Sequence, residues 1–278
     1  MPELPEVETL RRDLERTILG RVTTALWIAP DVPRLVQGRT PDELRERLVG
    51  GRFDAVDRRG KLLIFRLGDA RGYLLLHRRM SGNLLHRRNG APADPYTRFV
   101  LSLDDDSELR FVDLRKFGRL WLVDDPTEVT ADLGPEPLEE TFTIETLAEA
   151  LRRRHAPVKA VLLDQTAIAG LGNLYADEAL FLAGVHPRSP ASGLTLDELA
   201  RLHRGIREAL AEGLHDRGSS LGSSLRDHIN LDGSPGEHQH HVHVFRRTGQ
   251  PCLSCGTAIQ RIKVGGRSTH LCPHCQPA

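Results

Sequence analysis

The sequence predicts an α+β protein, in which a β-rich N-terminal part precedes a helical part and a short cysteine-rich end. Short apolar runs separated by turn residues fill positions 21–123, which is typical of a β-sandwich or barrel. Apolar residues at helical spacing then recur across positions 143–217. The four cysteines follow in two Cys-x-x-Cys pairs. These observations together indicate three parts of different architecture.

Length and charge limit the class of protein only broadly. A chain of 278 residues exceeds the common single-domain size, so two domains and a small appendage are expected. Lys plus Arg and Asp plus Glu both number 38, and the net charge therefore neither favours nor excludes a nucleic-acid partner. Basic residues are grouped, however, and such groups either bind phosphates or form solvated loops. They occupy positions 58–61, 77–79, 86–88, 115–116 and 152–155.

Nothing in the sequence resembles a membrane or export segment. No apolar run approaches the roughly 18 residues that a membrane-spanning helix requires. The first residues are acidic, whereas a secretory signal has a basic start and an apolar stretch. We therefore expect an intracellular protein without a membrane partner.

The first 20 residues predict an amphipathic helix with an unusual start. Apolar residues at positions 4, 7, 10, 14 and 18 keep helical spacing, and Gly20 ends the run. Pro5 and the glutamates at positions 6 and 8 suit a first helical turn, where proline is tolerated and acidic side chains favour the positive helix end. Such a start requires neither Pro2 nor Glu3, so these two residues call for another explanation.

The remaining elements follow from periodicity and turn residues. A second helix, at positions 40–50, is capped by Thr40. A proline-rich, acidic linker occupies 132–142. The domains are therefore placed at 1–131, 143–244 and 245–278. Strands are expected at 21–28, 61–67, 72–77, 98–103, 108–114 and 119–123, and further helices at 143–155, 157–164, 174–183 and 195–217.

Three segments of the second half have alternative interpretations. The turn with Gly170, Gly172 and Asn173 either binds an anion at a helix start or merely connects two helices. The polar segment 218–237 is predicted to be a long loop. The histidines within 238–243 either bind a second metal or form a strand, and their alternation with valines favours the strand.

The cysteine-rich end predicts one structural zinc ion. Two Cys-x-x-Cys pairs flank a predicted β-hairpin, 260–271, with its turn at Gly265 and Gly266. Two disulfides are the alternative, which the lack of an export signal disfavours. Arg267 follows the turn and either reaches a phosphate or is solvated. This end alone predicts a nucleic-acid-binding zinc finger, without indicating an enzyme. The four predicted ligands are Cys252, Cys255, Cys272 and Cys275.

Lysine is rare, since only four of the 38 cationic residues are lysines. The pKa of a lysine responds to its surroundings, whereas arginine keeps its proton. Each lysine of so arginine-biased a chain therefore suggests a specific role, although Lys116 and Lys263 are explained simply as unreplaced residues. Lys61 and Lys159 are the other two.

Three separated motifs occur in one order: PELPEVE at the start, AGLGNLYADEALF in the middle and the cysteine pairs at the end. Further segments are RRGKLLIF, RMSG, DLRKFG, LGPEPL and GSSLRDHINLDGSPG. With these motifs the chain resembles the formamidopyrimidine-DNA glycosylase family of base-excision repair enzymes over nearly its whole length. The resemblance implies an N-terminal β-sandwich with flanking helices, a helix-two-turns-helix domain and a zinc finger. It also implies that segment 218–237 covers the damaged base.

The resemblance also implies a catalytic group. Removal of Met1 would expose Pro2 as a secondary amine, and an α-amino group titrates near pH 8, so that it can attack a damaged nucleotide and form a Schiff base. Glu3 matches the family's proton donor. Glu6, one turn further on, is a candidate for orienting it or only a helix-start residue. Lys61 and Arg267 match further catalytic positions of the family.

Other family positions contact DNA. Met80, Arg115 and Phe117 match residues that fill the space left by a flipped base, although core packing would also explain Met80 and Phe117. This chain departs from the family pattern HLGMSG, because it has HRRMSG at 77–82. It also has Tyr96 where a histidine is frequent. The matched phosphate contacts are Tyr96, Arg153, Lys159 and Asn173.

The predicted function is therefore a bifunctional glycosylase and abasic-site lyase, which removes oxidised purines from double-stranded DNA and then cleaves the strand. One alternative is the endonuclease VIII branch, which prefers oxidised pyrimidines, but Leu4 follows the purine-repair pattern. The other alternative is a zinc-ribbon DNA-binding protein without activity, which would not explain Pro2, Glu3 and Lys61 together. A monomer in the bacterial cytoplasm, associated with the nucleoid, is expected.

Overall fold

The computed structural model describes residues 2–222 and 227–278, which form two compact units. The first unit comprises the chain up to Ala131 together with Asp216–Gln239, and the second comprises Asp132–His215 and His240–Ala278. Part of the predicted loop 218–237, residues 223–226, lies outside the described residues. Within the described ranges, no helix has the length and apolar character needed to cross a membrane.

The first unit is a sandwich of two sheets with flanking helices, which confirms the predicted architecture. Its strands and helices are, in chain order, α1 (Leu4–Ile18), β1 (Thr23–Ile28), β2 (Val36–Gln37), α2 (Pro41–Leu48), β3 (Phe53–Arg59), β4 (Leu62–Leu67), β5 (Tyr73–His77), β6 (Gly82–Arg88), β7 (Thr97–Leu103), β8 (Ser107–Asp113), β9 (Arg119–Val123) and α3 (Thr127–Thr130). One sheet has the order β1-β7-β8-β6 and the other β2-β9-β5-β4-β3, and all neighbours are antiparallel except β2 and β9.

One hydrophobic core joins the sheets to α1. Leu10 and Leu14 of α1 pack in it with Phe65 of one sheet and with Phe99 and Phe111 of the other. The apolar spacing noted in α1 therefore marks the face that is buried here. All six strands expected from apolar runs are present. Three further strands were not expected: β2 has only two residues, and four of the seven residues in each of β3 and β6 are charged or polar.

The second unit is helical and ends in a hairpin. Its elements are α4 (Ile144–Arg152), α5 (Val158–Leu162), α6 (Asn173–Ala183), α7 (Leu196–His215), β10 (Gln260–Val264) and β11 (Arg267–Leu271). Helices α6 and α7 pack closely because Gly205 has no side chain: a Cβ there would lie 2.6 Å from the carbonyl oxygen of Ala179. The four predicted helices and the hairpin around Gly265 and Gly266 are confirmed.

The predicted strand in the histidine-rich segment is wrong. Only a short 3₁₀ turn, His238–His240, is found there. The buried carboxylate of Glu178 instead accepts hydrogen bonds from the backbone N–H groups of His243, Val244 and Phe245. Because this carboxylate binds three successive N–H groups, they have no need of a neighbouring strand.

Candidate active site and metal centre

Pro2 and Glu3 are buried at the start of α1. The backbone N–H of Glu3 donates to Glu6 Oε2 at 2.8 Å, and the other oxygen of Glu6 accepts from the N–H of Ser219 at 2.9 Å. Glu6 therefore fixes the backbone beside Pro2 and ties it to segment 216–239 of the same unit. A chain terminus held in this way has lost the conformational freedom that termini usually have.

A second acidic residue anchors α1 to the sheet. Glu8 pairs with Arg11 and Arg12 on its own helix and, at 3.1 Å, with Arg58 of β3. Burial acts to raise the pKa of Glu8, but the hydrogen bonds from Arg11 and Arg12 outweigh it and lower the pKa. The helix start is thus held by a charged carboxylate as well as by apolar packing.

Lys61 lies in the two-residue turn between β3 and β4, where Arg59 pairs with Leu62. Gly60, its neighbour in the turn, has a φ of +56°, a conformation that favours glycine. Burial, together with the positive charges of Arg79 and Lys61, lowers the pKa of His77 to about 3. The imidazole near Lys61 is therefore neutral at physiological pH.

The three residues expected to fill the space of a flipped base lie together. Arg115 Nη1 is 3.5 Å from Met80 Sδ, and the Arg115 guanidinium lies 4.6 Å from the centroid of the Phe117 ring. Met80 and Phe117 are 42% and 41% exposed, so neither belongs to the core. Two adjacent exposed apolar side chains beside a cation suit contact with bases better than internal packing.

The carboxylate of Asp113 holds the segments that carry Met80, Arg115 and Phe117 by hydrogen bonds. It is fully buried, and its Oδ1 accepts from Ser81 Oγ at 2.6 Å and from the N–H of Arg115 at 3.1 Å. Its Oδ2 accepts from the N–H of Gly118 at 2.8 Å. Sequence reasoning missed Asp113, although DLRKFG was noted, because its three partners could be identified only from the fold.

The predicted phosphate contacts have different surroundings. Tyr96, in the first unit, is exposed, and so are Arg153 and Arg267 in the second. Asn173 begins α6 and donates through Nδ2 to the carbonyl of Ser268 at 3.1 Å. The three exposed side chains are therefore accessible to a ligand, and Asn173 is partly accessible.

Unlike the other predicted phosphate contacts, Lys159 is fully buried. Its Nζ lies 2.6 Å from Asp177 Oδ1 and donates to the carbonyl of Ser268 and to Thr269 Oγ1, both at 2.8 Å. A direct phosphate contact does not fit this placement, because no part of the ammonium group reaches the surface. Lys159 instead holds β11, the strand that begins with Arg267.

The four cysteines of the second unit form the candidate metal centre. Their Sγ atoms all lie within 4.8 Å of one another, with Cys252–Cys275 at 3.9 Å and Cys255–Cys272 at 3.5 Å. A tetrahedron of thiolates around zinc has edges of about 3.8 Å, whereas a disulfide is about 2.05 Å long. Burial raises the pKa of Cys275, and four thiolates this close together would repel one another without a cation between them.

Among the described residues, no second metal site accompanies this centre. In that part of the chain, the four cysteines are the only group of three or more ligand-type side chains close enough to share an ion. The alternative that the histidines of 238–243 bind a metal therefore has no support.

Comparison with known proteins identifies the family. Three family descriptions match in order: the formamidopyrimidine-DNA glycosylase N-terminal domain over residues 1–120, its H2TH domain over 133–224, and the zinc finger found in FPG and IleRS over 249–278. A relative in Chloroflexus aggregans, named formamidopyrimidine-DNA glycosylase, is 47% identical over 99% of this chain and 98% of its own. The chain belongs to the formamidopyrimidine-DNA glycosylase family.

Other members of the formamidopyrimidine-DNA glycosylase family agree in sequence and structure. The protein of that name from Pelotomaculum thermopropionicum is 44% identical over 99% of each chain. The Lactococcus lactis Fpg in complex with DNA containing an abasic site has a TM-score of 0.89 at 36% identity and covers 99% of this chain and 100% of its own. MutM from Thermus thermophilus has a TM-score of 0.86 at 40% identity, covering 99% and 98%. The cysteine centre is therefore the family's zinc finger, with four ligands for one zinc ion.

Proposed function

We propose that this protein is a bifunctional DNA glycosylase and abasic-site lyase, which excises oxidised purines from double-stranded DNA. The observation that carries the proposal is the buried start of α1, where Glu6 holds the backbone of Glu3 beside Pro2. Relatives support the substrate class: besides the abasic-site complex, the Lactococcus lactis Fpg has been solved with DNA that contains N7-benzyl-Fapy-dG. In that complex it has a TM-score of 0.89 at 38% identity.

In the proposed reaction, the nitrogen of Pro2, freed by removal of Met1, attacks C1′ of the damaged nucleotide. The bond from C1′ to the base breaks, the base leaves with its electron pair, and a proton from Glu3 allows the sugar ring to open to a Schiff base. Elimination then breaks the C–O bonds that join the sugar to its two phosphates, so that the phosphates remain on the strand ends and the sugar leaves a one-nucleoside gap. Pro2 can do this only while its amine is unprotonated, which a pKa near 8 permits for part of the molecules at neutral pH.

The other site residues have supporting roles in this proposal. Met80, Arg115 and Phe117 fill the space of the extruded nucleotide, since they form one exposed group. Lys61 acts as a second proton donor near the phosphate of the damaged nucleotide, and Arg267 stabilises phosphate charge in the second elimination step. Tyr96, Arg153 and Asn173 bind phosphates and so position the duplex without reading its sequence.

Lys159 acts at a distance in the same proposal. It and Asn173 both bind the carbonyl of Ser268, next to Arg267. The zinc finger holds the hairpin in shape and takes no part in the chemistry, because four protein ligands leave no open coordination position.

The biological setting is also part of the proposal. We place the domains at 1–131, 143–244 and 245–278, which the matched family ranges support, and we note that 216–239 packs with the first unit. We expect a monomer acting on nucleoid DNA in the bacterial cytoplasm. Light scattering coupled to size-exclusion chromatography tests the monomer: a mass of about twice 31.0 kDa would contradict it.

Borohydride trapping tests the reaction directly. The substrate is a duplex with one 8-oxoguanine opposite cytosine, and the proteins are wild type, Pro2→Gly and the matched control Pro5→Ala, in the same helix turn. We expect a covalent complex with wild type and the control, and little with Pro2→Gly. Intact mass of the wild-type protein should show that Met1 is absent.

A variant of Glu3 and two other trapping results would distinguish the proposed reaction from its alternatives. Glu3→Gln should lose excision of 8-oxoguanine but still be trapped on an abasic site, because an abasic sugar opens to its aldehyde without a proton from Glu3. Trapping only with an oxidised pyrimidine would assign the protein to the endonuclease VIII branch. Binding without trapping, even on an abasic site, would make it a DNA-binding protein without activity.

A further inference from the structure

Arg78 is an arginine inside the first unit, only 1% exposed. It begins the turn that carries Met80, between β5 and β6. Its Nε donates to the carbonyl of Gly82 at 2.8 Å, which closes this turn. Its Nη1 lies 3.5 Å from the backbone carbonyl of Glu6, in the first turns of α1. A buried charge costs free energy unless its donors are satisfied, so these contacts are needed to keep Arg78 inside.

The remaining amino group of Arg78 faces segment 216–239. Nη2 donates to Asn83 Oδ1 at 2.6 Å and lies 3.1 Å from His228 Nδ1. Guanidinium nitrogens only donate, so Nδ1 of His228 is the acceptor, and the ring proton lies on Nε2. Burial and the charge of Arg78 hold the pKa of His228 well below its usual value, in agreement with a neutral ring.

Asn83 extends this connection to the backbone. Its Oδ1 also accepts from the N–H of Ile229 at 3.2 Å, and its Nδ2 donates to the carbonyl of Asp227 at 2.8 Å. Arg78 and Asn83 together hold the backbone at 227–229. Glu6, whose carbonyl Arg78 approaches, binds the N–H of Ser219 through its side chain.

We propose that Arg78 is a positioning residue, which holds the Met80 turn and the backbone at 227–229 against the helix turn of Glu3 and Glu6. It touches three parts of the first unit that lie far apart in the chain, and it does so with one rigid planar group. The inference rests on the proposed function, since it concerns the step in which a base is extruded from a duplex. That step needs Met80 and the proton donor in a fixed relation, whereas cleavage at an abasic site in a single strand needs neither.

The test compares Arg78→Met with wild type on two substrates. Methionine keeps an unbranched apolar side chain at this position but removes every donor. We expect single-turnover excision of 8-oxoguanine from a duplex to fall at least tenfold, and cleavage of a single-stranded abasic site to change less than threefold. Arg110→Met is the matched control, because Arg110 is also buried but its hydrogen bonds are with Glu108 and the loop at 91–94. It should leave the ratio of the two rates unchanged.

A second measurement needs no DNA. Hydrogen exchange followed by mass spectrometry should show the amide of Ile229, which Asn83 binds, exchanging at least tenfold faster in Arg78→Met than in wild type. Arg78→Lys, which keeps the charge but lacks the planar fork, should lie between them and serves as the test variant if Arg78→Met does not fold.

The outcomes separate the two proposals. If wild type cleaves neither substrate, the proposed function fails and the exchange measurement alone decides the role of Arg78. Equal loss on both substrates, or unchanged exchange at Ile229, would overturn the inference.

Discussion

Replacing Asp177 by Asn should destabilise the second unit strongly, because it leaves Lys159 charged and buried. Lys159 and Asp177 are both inside the unit, with Nζ and Oδ1 2.6 Å apart. Asparagine has almost the same volume as aspartate, so the change opens no cavity. What it removes is the negative charge, and removal of one partner of a buried ion pair costs ~3–5 kcal/mol.

The loss of stability should be largest in β11, because Asp177 also binds this strand. Its Oδ2 accepts from the backbone N–H of His270 at 2.9 Å and from the Nδ1 of the same residue at 3.1 Å. We therefore expect the local free energy of opening at β11 to fall by ~3 kcal/mol. Since 1.36 kcal/mol is a factor of ten, hydrogen exchange at the amide of His270 should become roughly a hundredfold faster.

Two measurements report on the two units separately. Hydrogen exchange reports on β11, whereas tryptophan fluorescence reports only on the first unit, because Trp27 and Trp121 both lie there. Fluorescence-detected unfolding of the first unit should be unchanged. The double variant Lys159→Met with Asp177→Asn should recover most of the loss, because it has no buried charge left. Exchange at His270 within threefold of wild type in Asp177→Asn, or a double variant no better than the single one, would refute the reasoning.

Three further outcomes are expected. Removing zinc with a chelator, or replacing Cys255 by Ser, should unfold the hairpin β10–β11, as measured by exchange of its amides, and leave tryptophan fluorescence unchanged. Burial acts to raise the pKa of Glu178, but hydrogen bonds from His243 and three backbone N–H groups lower it, while Glu178 raises the pKa of His243. The pair therefore stabilises the second unit most between about pH 4.5 and 6.5. The part of this stabilisation that needs a charged His243 is lost as pH rises through the raised pKa of His243, and thermal unfolding of His243→Gln should lose that decline. Thr40→Ala should destabilise the first unit by about 1 kcal/mol in urea unfolding followed by fluorescence, because Thr40 and Glu43 cap α2 reciprocally; no change would show that this cap is dispensable.

Much of the fold was predictable because its signals are local. The apolar face of α1, the cap of α2 and the hairpin between the cysteine pairs each depend on residues a few positions apart. Strands β3 and β6 were missed because four of the seven residues in each are charged or polar, so that neither contains a long apolar run. The strand expected in the histidine-rich segment was wrong, because a carboxylate on α6 binds its backbone.

In the candidate site, too, the local features were predictable and the contacts between distant residues were not. Family motifs indicated Pro2 and Glu3, but the hydrogen bond from Ser219 to Glu6 joins residues from opposite ends of the first unit's sequence. Lysine scarcity drew attention to Lys159, yet the phosphate contact expected of it does not fit its burial.

The sequence by itself determined the family, the metal ligands and most of the helices and strands, since spacing along the chain is enough to specify a knuckle, a cap or an amphipathic face. Only the tertiary structure decided which charges lie inside. Nothing in the sequence indicates that Arg78 and Lys159 are buried, but contacts with His228 and Asp177 in the folded chain satisfy their charged groups. The cost of burying a charge depends on its neighbours in space, and these neighbours exist only once the chain has folded.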